Sequence, residues 1–310
     1  MTMSELPFDP KASFSHAPVL LESVVSSLEA AQGGLFVDAT AGGAGHSRAI
    51  LAASPSVRLI ASDRDLQAVD TARERLAEFG ERARVVHARF SEIGAALDEA
   101  GIEQVDGMLA DLGVSSFQLD TAERGMSFRH QGPLDMRMDT SRGETALELI
   151  ARLDQDELAD VIYELGEERR SRRVARCIKQ ALEEGMLNDT MELRRAIVRA
   201  VGPRRMGGID PATRTFQALR MAVNSELSEI AALLELGRAR VKPGGLLAVI
   251  SFHSLEDRLV KREFQNRMNW APLSKKPLIA TDEEQAQNPR SRSAKLRVAR
   301  RLAPGEGGDA

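Results

Sequence analysis

Residues 38–47 read DATAGGAGHS, and an apolar run stands on either side of them. This order predicts a short buried strand, a glycine-rich turn and then a helix. Asp38 ends the strand, at the edge where open α/β sheets bind ligands. The first N–H groups of the helix suit polar or anionic groups. The turn can adopt positive φ and admit a ligand closely, because three of its residues have no Cβ, namely Gly42, Gly43 and Gly45.

Many strand-to-helix turns contain glycine for geometry alone, so the next strand carries the argument. That strand, predicted at residues 57–62, runs into Asp63, 18 residues after Gly45. An acidic residue about 20 residues past the loop is placed to hydrogen-bond both hydroxyls of a ribose. The nucleoside could belong to NAD or to S-adenosylmethionine. We favour S-adenosylmethionine, because the glycine spacing is not GxGxxG, an acid precedes the glycines, and residues 241–252 (VKPGGLLAVISF) look like a late strand of Rossmann-like methyltransferases.

Strands and helices continue to alternate up to residue 111. A third strand at 83–88 is followed by Phe90, and a fourth at 105–110 ends at Asp111. Alternation of this kind predicts a parallel, doubly wound sheet. Phe90 could lie against an adenine ring, and a ring at the edge of the core fits its position equally well.

The middle of the chain breaks this alternation. Residues 111–139 have no sustained period, and a long irregular stretch that leaves the carboxyl end of a strand is interpreted as an active-site loop. Residues 145–201 are helical in pattern. We therefore predict a methyltransferase core at 1–119 and 211–310, with an inserted helical cap or substrate domain at 120–210.

The last third resumes the α/β pattern. Apolar residues from Phe216 to Leu234 predict one long helix that stops at a turn, VKPGG. A strand at 246–252 follows, and Ser254 is the predicted N-cap of the next helix. The pattern then predicts a loop at 270–287 and a final edge strand at 295–301.

Composition bounds the class of protein. The 310 residues are 43% hydrophobic and 28% charged, as in soluble globular proteins. The sequence has no apolar run of the ~20 residues that span a bilayer, and its first residues lack a secretory signal pattern. The single cysteine, Cys177, is expected to be a small apolar helix residue. With no Cys/His cluster of zinc spacing, we expect a cytoplasmic protein without a metal.

Basic residues are unevenly distributed although the formal net charge is −4. Residues 290–301 hold six basic side chains and no acidic one. A helix predicted at 169–184 carries arginines, including Arg172 and Arg176, opposite its apolar face. That stripe is either a solvated charged face or a set of phosphate contacts.

With these elements placed, the chain resembles the RsmH (MraW) family of bacterial small-subunit ribosomal RNA cytosine-N4 methyltransferases. The motifs that carry the resemblance include DLGVSS, GPLDMRMD, ISFHSLEDR and NPRSRSAKLR. They span nearly the whole chain, in blocks at 16–22, 38–47, 111–139, 212–227, 251–261 and 288–297. The resemblance implies a Rossmann-like class I core with an inserted helical domain. It also implies S-adenosylmethionine-dependent N4-methylation of a cytidine in the decoding centre (P-site region) of 16S ribosomal RNA.

The resemblance also implies a set of cofactor contacts. The chain departs from the family at two positions, where Ala44 stands in place of a usual glycine and Phe117 in place of a usual proline. A backbone N–H contact survives the change at Ala44 where φ is permissive. The implied cofactor-binding residues are Ala44, Gly45, His46, Asp63, Phe90, Asp111 and Gln118.

Methyl transfer to an exocyclic amine needs alignment and a hydrogen-bond acceptor, and no metal. Asp111 is our candidate catalytic residue because it ends strand four, where amino-methyltransferases place the polar group that faces the target nitrogen. A purely cofactor-binding Asp111 is the competing interpretation. His253 is a second candidate, for holding the base, and a structural histidine fits there as well.

The expected partner is 16S ribosomal RNA within the small ribosomal subunit. A target base must leave its stack to enter such a pocket, and arginines would then hold the neighbouring phosphates. The predicted phosphate contacts are Arg290, Arg292 and Arg297, with Arg172 and Arg176 as further candidates. The sequence leaves the oligomeric state open, a homodimer included, and predicts no membrane partner. A cofactor-binding ribosome-assembly factor with little turnover is the alternative function, and an NAD-dependent dehydrogenase lacks an evident hydride-transfer site.

Overall fold

The computed structural model describes residues 18–203 and 210–306. His16, in the first block of the resemblance, lies outside these residues. The chain forms two compact units. One, here called the sheet unit, comprises the described residues up to Phe117 and from Leu233 onward. The other, the helical unit, is Gln118–Ala232. Within the described ranges, no helix combines the length and the apolar character that a membrane span needs.

The sheet unit is built on seven strands in the order β3-β2-β1-β4-β5-β7-β6. The first five strands are parallel, and β7 runs antiparallel between β5 and β6. The order reverses between β1 and β4, and ligands bind at the carboxyl side of such a switch point. The strands are β1 Gly34–Asp38, β2 Val57–Asp63, β3 Ala83–His87, β4 Val105–Asp111, β5 Val241–Ser251, β6 Trp270–Pro272 and β7 Lys295–Arg301.

Helices of the sheet unit follow the strands and cover their apolar side chains. The buried core includes Phe36 of β1, Leu59 of β2, Leu109 of β4 and Ile250 of β5, all at most 2% exposed. Such near-continuous apolar strands are typical of parallel sheets. The helices are α1 Leu21–Ser27, α2 Gly45–Ala52, α3 Leu66–Leu76, α4 Ile93–Glu99, α5 Ser116–Asp120 at the boundary of the units, α12 Ser254–Phe264 and α13 Asp282–Gln287.

Two details of the sheet differ from the sequence prediction. The stretch VKPGG belongs to β5, because Val241 pairs with Val105 while Leu246 pairs with Gly107, so the residues between form a bulge rather than a helix-ending turn. The strand β7 is not at the edge. Residues 270–272, predicted as loop, form β6 and cover it.

Two helices near the carboxyl end also correct the prediction. The N-cap of α12 is His253 rather than Ser254, because the Glu256 side chain accepts the His253 N–H while His253 Nδ1 faces the Glu256 N–H. Residues 282–287, predicted as loop, form α13, where Thr281 caps the helix by accepting from the Glu284 N–H.

The helical unit packs short amphipathic helices around its own core. That core includes Ile150, Ile162, Val174 and Ile197, all fully buried. Cys177 is buried, as expected, and Arg172 and Arg176 lie on the exposed face of their helix. The helices are α6 Ala146–Arg152, α7 Gln155–Gly166, α8 Ser171–Glu183, α9 Thr190–Val201, α10 Thr213–Val223 and α11 Glu226–Arg240, which extends into the sheet unit.

The long helix predicted from Phe216 to Leu234 is two helices. The chain breaks at Asn224, which is followed by Ser225 with φ +51°. The Asn224 amide donates to the Met136 carbonyl at 2.7 Å and accepts from the Met138 N–H at 2.7 Å. These bonds fix the irregular GPLDMRMD segment, and α10 packs against α7. The compact helical unit extends to Ala232, and the functional domain boundary at 210 stays a prediction.

Replacing Asn224 with alanine is expected to destabilise the helical unit by about 3 kcal/mol, because the substitution strands a buried carbonyl and a buried N–H. Urea unfolding followed by circular dichroism measures the change. Asn188→Ala is the matched control, since Asn188 is exposed and its bonds are to exposed groups. Equal effects of the two substitutions would contradict the role assigned to Asn224.

Candidate active site

The glycine-rich turn between β1 and α2 is held to the end of β2. Gly42 has φ +48° and donates its N–H to Asp63 Oδ2 at 2.8 Å. Gly45 lies against Pro18, and a Cβ on Gly45 would come within 2.2 Å of Pro18 Cγ. Glycine is therefore required at 42 for conformation and at 45 for space.

Ala44, one of the two departures from the family pattern, has φ +60° and is fully buried. A non-glycine residue in the left-handed region carries a cost of roughly 1–2 kcal/mol. The surrounding turn holds it there, since its N–H donates to the Ala41 carbonyl. Backbone strain of this kind tends to be kept at binding sites.

Asp63 is placed to bind a ligand through its carboxylate. Oδ2 accepts from the Gly42 N–H, and Oδ1 accepts from the Asp65 N–H at 2.9 Å. Burial raises the pKa of Asp63 to about 6, and the two N–H donors oppose this rise. Each oxygen keeps a second lone pair, so the carboxylate can accept two further hydrogen bonds, as from adjacent hydroxyls.

Asp38 and Thr40 form a buried polar link between β1 and β4. Asp38 is fully buried and accepts from Ser47 Oγ at 2.6 Å and from the Thr40 N–H at 3.1 Å. Burial raises the pKa of Asp38 to about 7. Thr40 Oγ1 accepts the Asp111 N–H at 2.7 Å, so the main chain of Asp111 is fixed from the glycine-rich turn.

Asp111 has an unsatisfied carboxyl oxygen. Its Oδ1 is buried and has no hydrogen-bond partner among the described residues. Its Oδ2 lies 3.9 Å from His46 Nδ1, and the side chain is 26% exposed. Burial and, to a smaller extent, the nearby carboxyls of Asp38 and Glu256 raise the pKa of Asp111 to about 8. A buried acceptor without a donor is costly, so a ligand with an N–H group would fit here.

His253 and Glu256 form the turn after β5. Glu256 is fully buried, and its Oε2 accepts from the N–H groups of Phe252 and His253 at 2.8 and 3.2 Å. Its Oε1 lies 3.1 Å from His253 Nε2. The His253 ring is thus held at a helix cap, beside the carboxylate that adds to the charge near Asp111.

Sequence reasoning missed Thr40, Ser47 and Glu256. Each carried a weak signal: a hydroxyl inside the glycine turn, a hydroxyl in the first turn of α2, and a glutamate four residues after a predicted strand. None of these signals distinguishes a structural side chain from one that serves a site.

The other predicted cofactor contacts occupy separate positions. Phe90 begins a single 3₁₀ turn immediately after β3 and is partly buried. Gln118 lies in α5, inside the helical unit, and its side chain is 5% exposed.

The predicted phosphate contacts differ in their surroundings. Arg292 is exposed at the start of the basic segment, and Arg290 is partly buried beside it. Arg297 pairs with Asp257 through a bond of 2.7 Å and is only 12% exposed. In the helical unit, Arg172 pairs with Asp156 and Asp160 at the surface, and Arg176 is exposed.

The sheet order and this carboxyl-lined edge define a class I S-adenosylmethionine-dependent methyltransferase. The described residues fit that cofactor in two respects: Asp63 keeps two free lone pairs for a ribose, and space is open above Gly42, where a Cβ would meet only the Thr40 carbonyl, 3.8 Å away. The chain belongs to the MraW methylase family, whose model matches residues 13–302. The family membership confirms the expected cofactor and the expected enzyme class.

Two relatives of high sequence identity support the same assignment. A protein of Sorangium cellulosum named "Ribosomal RNA small subunit methyltransferase H" is 60% identical over 291 residues, covering 94% of this chain and 92% of the relative. A protein of the same name from Trichormus variabilis is 51% identical and covers 94% of each chain. Among solved structures, a putative methyltransferase of Streptococcus mutans in complex with SAH is 12% identical, with a TM-score of 0.41, covering 93% of this chain and 100% of that chain.

The raised pKa of Asp111 predicts a pH-dependent gain in stability for Asp111→Asn. A carboxyl with a raised folded pKa contributes stability below its unfolded pKa, and that contribution is lost as pH rises toward about 8. Asparagine does not ionise. Relative to the native chain, the free energy of unfolding of the variant should therefore rise by about 3–4 kcal/mol between pH 5 and pH 8.

Urea unfolding of the ligand-free protein at both pH values measures this gain. Asp70→Asn is the control, because Asp70 is exposed and pairs with Arg73 at the surface. A stability difference that stays constant with pH would show that Asp111 titrates like an exposed carboxyl.

Proposed function

We propose that this protein transfers a methyl group from S-adenosylmethionine to N4 of a cytidine in the decoding centre of 16S ribosomal RNA. The observation that carries the proposal is the buried Oδ1 of Asp111 at the carboxyl end of β4, for which residues 18–203 and 210–306 provide no hydrogen-bond partner. The names of the relatives at 48–60% identity support ribosomal RNA as the substrate.

Binding of the cofactor is assigned to the carboxyl edge of β1, β2 and β3. Asp63 would accept hydrogen bonds from the ribose hydroxyls, the N–H group of Gly45 would face the polar end of the cofactor, and Phe90 would pack against the adenine. The Ala44 N–H is left out of this assignment because it donates to the Ala41 carbonyl. When bound, the cofactor supplies an electrophilic methyl group on a sulfonium. That positive charge lowers the pKa of nearby carboxyls, so it favours the ionised form of Asp111 during catalysis.

Activation of the amine is assigned to Asp111. The amine of cytosine is a weak nucleophile because its lone pair is delocalised into the ring. Asp111 Oδ1 accepts a hydrogen bond from the amine, which localises the lone pair and stabilises the positive charge as it develops. The Thr40 bond to the Asp111 N–H holds this carboxylate in place, and such preorganisation lowers the barrier.

RNA binding is assigned to the start of the basic segment. Arg292 is exposed there, and Arg290 lies next to it. Arg297 is left out of this assignment because Asp257 holds its guanidinium, and Arg172 is left out because two aspartates hold it. Arg176 remains a candidate on the exposed face of α8. The target base leaves its stack to reach Asp111.

The decisive experiment supplies labelled S-adenosylmethionine and small ribosomal subunits from cells that lack the enzyme, then maps the label. We expect label on N4 of one decoding-centre cytidine. Asp111→Asn should lower the single-turnover rate by about 10²–10⁴-fold, while S-adenosylhomocysteine affinity, measured by calorimetry, stays near that of the native chain. Cofactor binding without label on any RNA or assembly intermediate would favour a non-catalytic assembly factor instead.

Arg292→Ala is expected to weaken RNA binding and to reduce the slope of log affinity against log salt by about one, because one phosphate contact is lost. Filter binding at several salt concentrations measures both. Arg58→Ala is the matched control. Arg58 is exposed near the amino end of β2, whereas the proposed site lies at the carboxyl ends of the parallel strands. An unchanged affinity and slope for Arg292→Ala would overturn the assignment.

A further inference from the structure

His46 is a buried histidine whose ring the cofactor assignment does not use. It lies in the first turn of α2 and is 6% exposed. Its Nε2 lies 2.9 Å from the Val19 carbonyl oxygen, and its Nδ1 lies 3.9 Å from Asp111 Oδ2. The imidazole therefore connects the N-terminal turn of the described chain to the candidate catalytic carboxyl.

The surroundings fix the tautomer of this ring. A carbonyl oxygen only accepts hydrogen bonds, so Nε2 must carry the proton that it donates to Val19. Burial lowers the pKa of His46 to about 4, and the ring is therefore neutral at pH 7. A neutral ring with a proton on Nε2 has a bare lone pair on Nδ1. That lone pair faces Asp111.

The Val19 carbonyl is itself held on both sides. The Leu20 N–H donates to Glu284 Oε1 at 2.7 Å, and Leu20 adopts φ +55°. Pro18 packs against Gly45. We call residues 18–20 the strap. Because the strap is fixed at both ends, the Val19 carbonyl holds the orientation of the His46 ring.

His46 Nδ1 and Asp111 Oδ2 are both hydrogen-bond acceptors, so they can form a hydrogen bond to each other only when one of them carries a proton. A proton at this point belongs to Asp111, because the ring is neutral and its only proton is on Nε2. The charged groups that face Asp111 from the packed elements are Asp38 of β1 and Glu256 of α12, and both disfavour its ionised form. His46 Nδ1 adds an acceptor for the proton of the neutral carboxyl.

We propose that His46 is a positioning residue whose Nδ1 accepts a hydrogen bond from the proton that Asp111 carries at the Oδ2 position after methyl transfer. This inference rests on the proposed amine methylation. The amine nitrogen gains the methyl group as the carbon–sulfur bond breaks and its electron pair stays on sulfur. The excess N–H proton of the product then passes to Asp111 Oδ1, and rotation of the carboxyl about its Cβ–Cγ bond turns the protonated oxygen toward His46, into the place of Oδ2. The gap of 3.9 Å closes by about 1 Å to form the bond, as catalytic hydrogen bonds tighten on substrate binding.

The first test reads the tautomer in the free full-length protein. Nitrogen chemical shifts of ¹⁵N-labelled histidine, with His46 assigned by its absence in His46→Gln, distinguish the two neutral forms from imidazolium. We expect the neutral form with the proton on Nε2 between pH 6 and pH 8. A proton on Nδ1, or an imidazolium in that range, would overturn the proposal without any assay of methylation.

The second test uses His46→Gln, whose amide can still donate to Val19 but presents no lone pair in place of Nδ1. A hydrogen bond to the neutral carboxyl raises the pKa of that carboxyl. Loss of the bond should therefore lower the pKa of Asp111, measured by ¹³C NMR, by about one unit. In the pH profile of the single-turnover rate, the acid limb should shift to lower pH by the same amount. The plateau rate should be about 10-fold lower.

The matched control is His87→Gln, because His87 also places Nε2 2.9 Å from a carbonyl, that of Arg64. It should leave the Asp111 titration unchanged. An unchanged titration in His46→Gln would refute the role of His46 even if the native enzyme methylates RNA. A native enzyme without methylation would instead refute the proposed function, while the tautomer and titration results still stand on their own.

Discussion

The hydrogen bond from the Gly42 N–H to Asp63 is the constraint on which the rest of the site depends. It ties the glycine-rich turn to the end of β2 and so sets the path of the chain into α2. Thr40 and His46 take their positions from that path. Thr40 then fixes the main chain of Asp111, and the His46 ring faces its side chain. One backbone N–H thus links the turn that follows β1 to the end of β2, beside the strand that ends at Asp111.

The three carboxyls at this edge are held at an electrostatic cost. Asp38, Asp63 and Asp111 end adjacent strands, and burial raises the pKa of each one. Close carboxyls in a buried place resist ionisation together. Under the proposed function a cationic sulfonium would relieve this repulsion, so the same arrangement that destabilises the free protein would favour the charged cofactor. Stability and function are opposed at this edge, as is common for active sites.

Much of this arrangement could be read from local sequence. The strands that end at Asp63 and Asp111 are short apolar runs followed by an acid, and local pattern is sufficient for them. The break at Asn224 was missed because its cause is a hydrogen bond to residues 86 and 88 positions earlier, which no helical period reveals. The covered position of β7 was missed for the same reason, since strand neighbours depend on long-range pairing. The role of Glu256 was missed as well, because its proximity to Asp111 is visible only in the folded structure.

The bond between the Leu20 N–H and Glu284 joins residues 264 positions apart in the chain. A ribosome synthesises Leu20 early and Glu284 close to the end. The strap can therefore close only after nearly the whole protein has emerged. An incomplete nascent chain contains the glycine-rich turn and all three carboxyls, yet lacks the contact that fixes the Val19 carbonyl. The contact that orients the His46 ring beside Asp111 therefore forms only when synthesis is nearly complete.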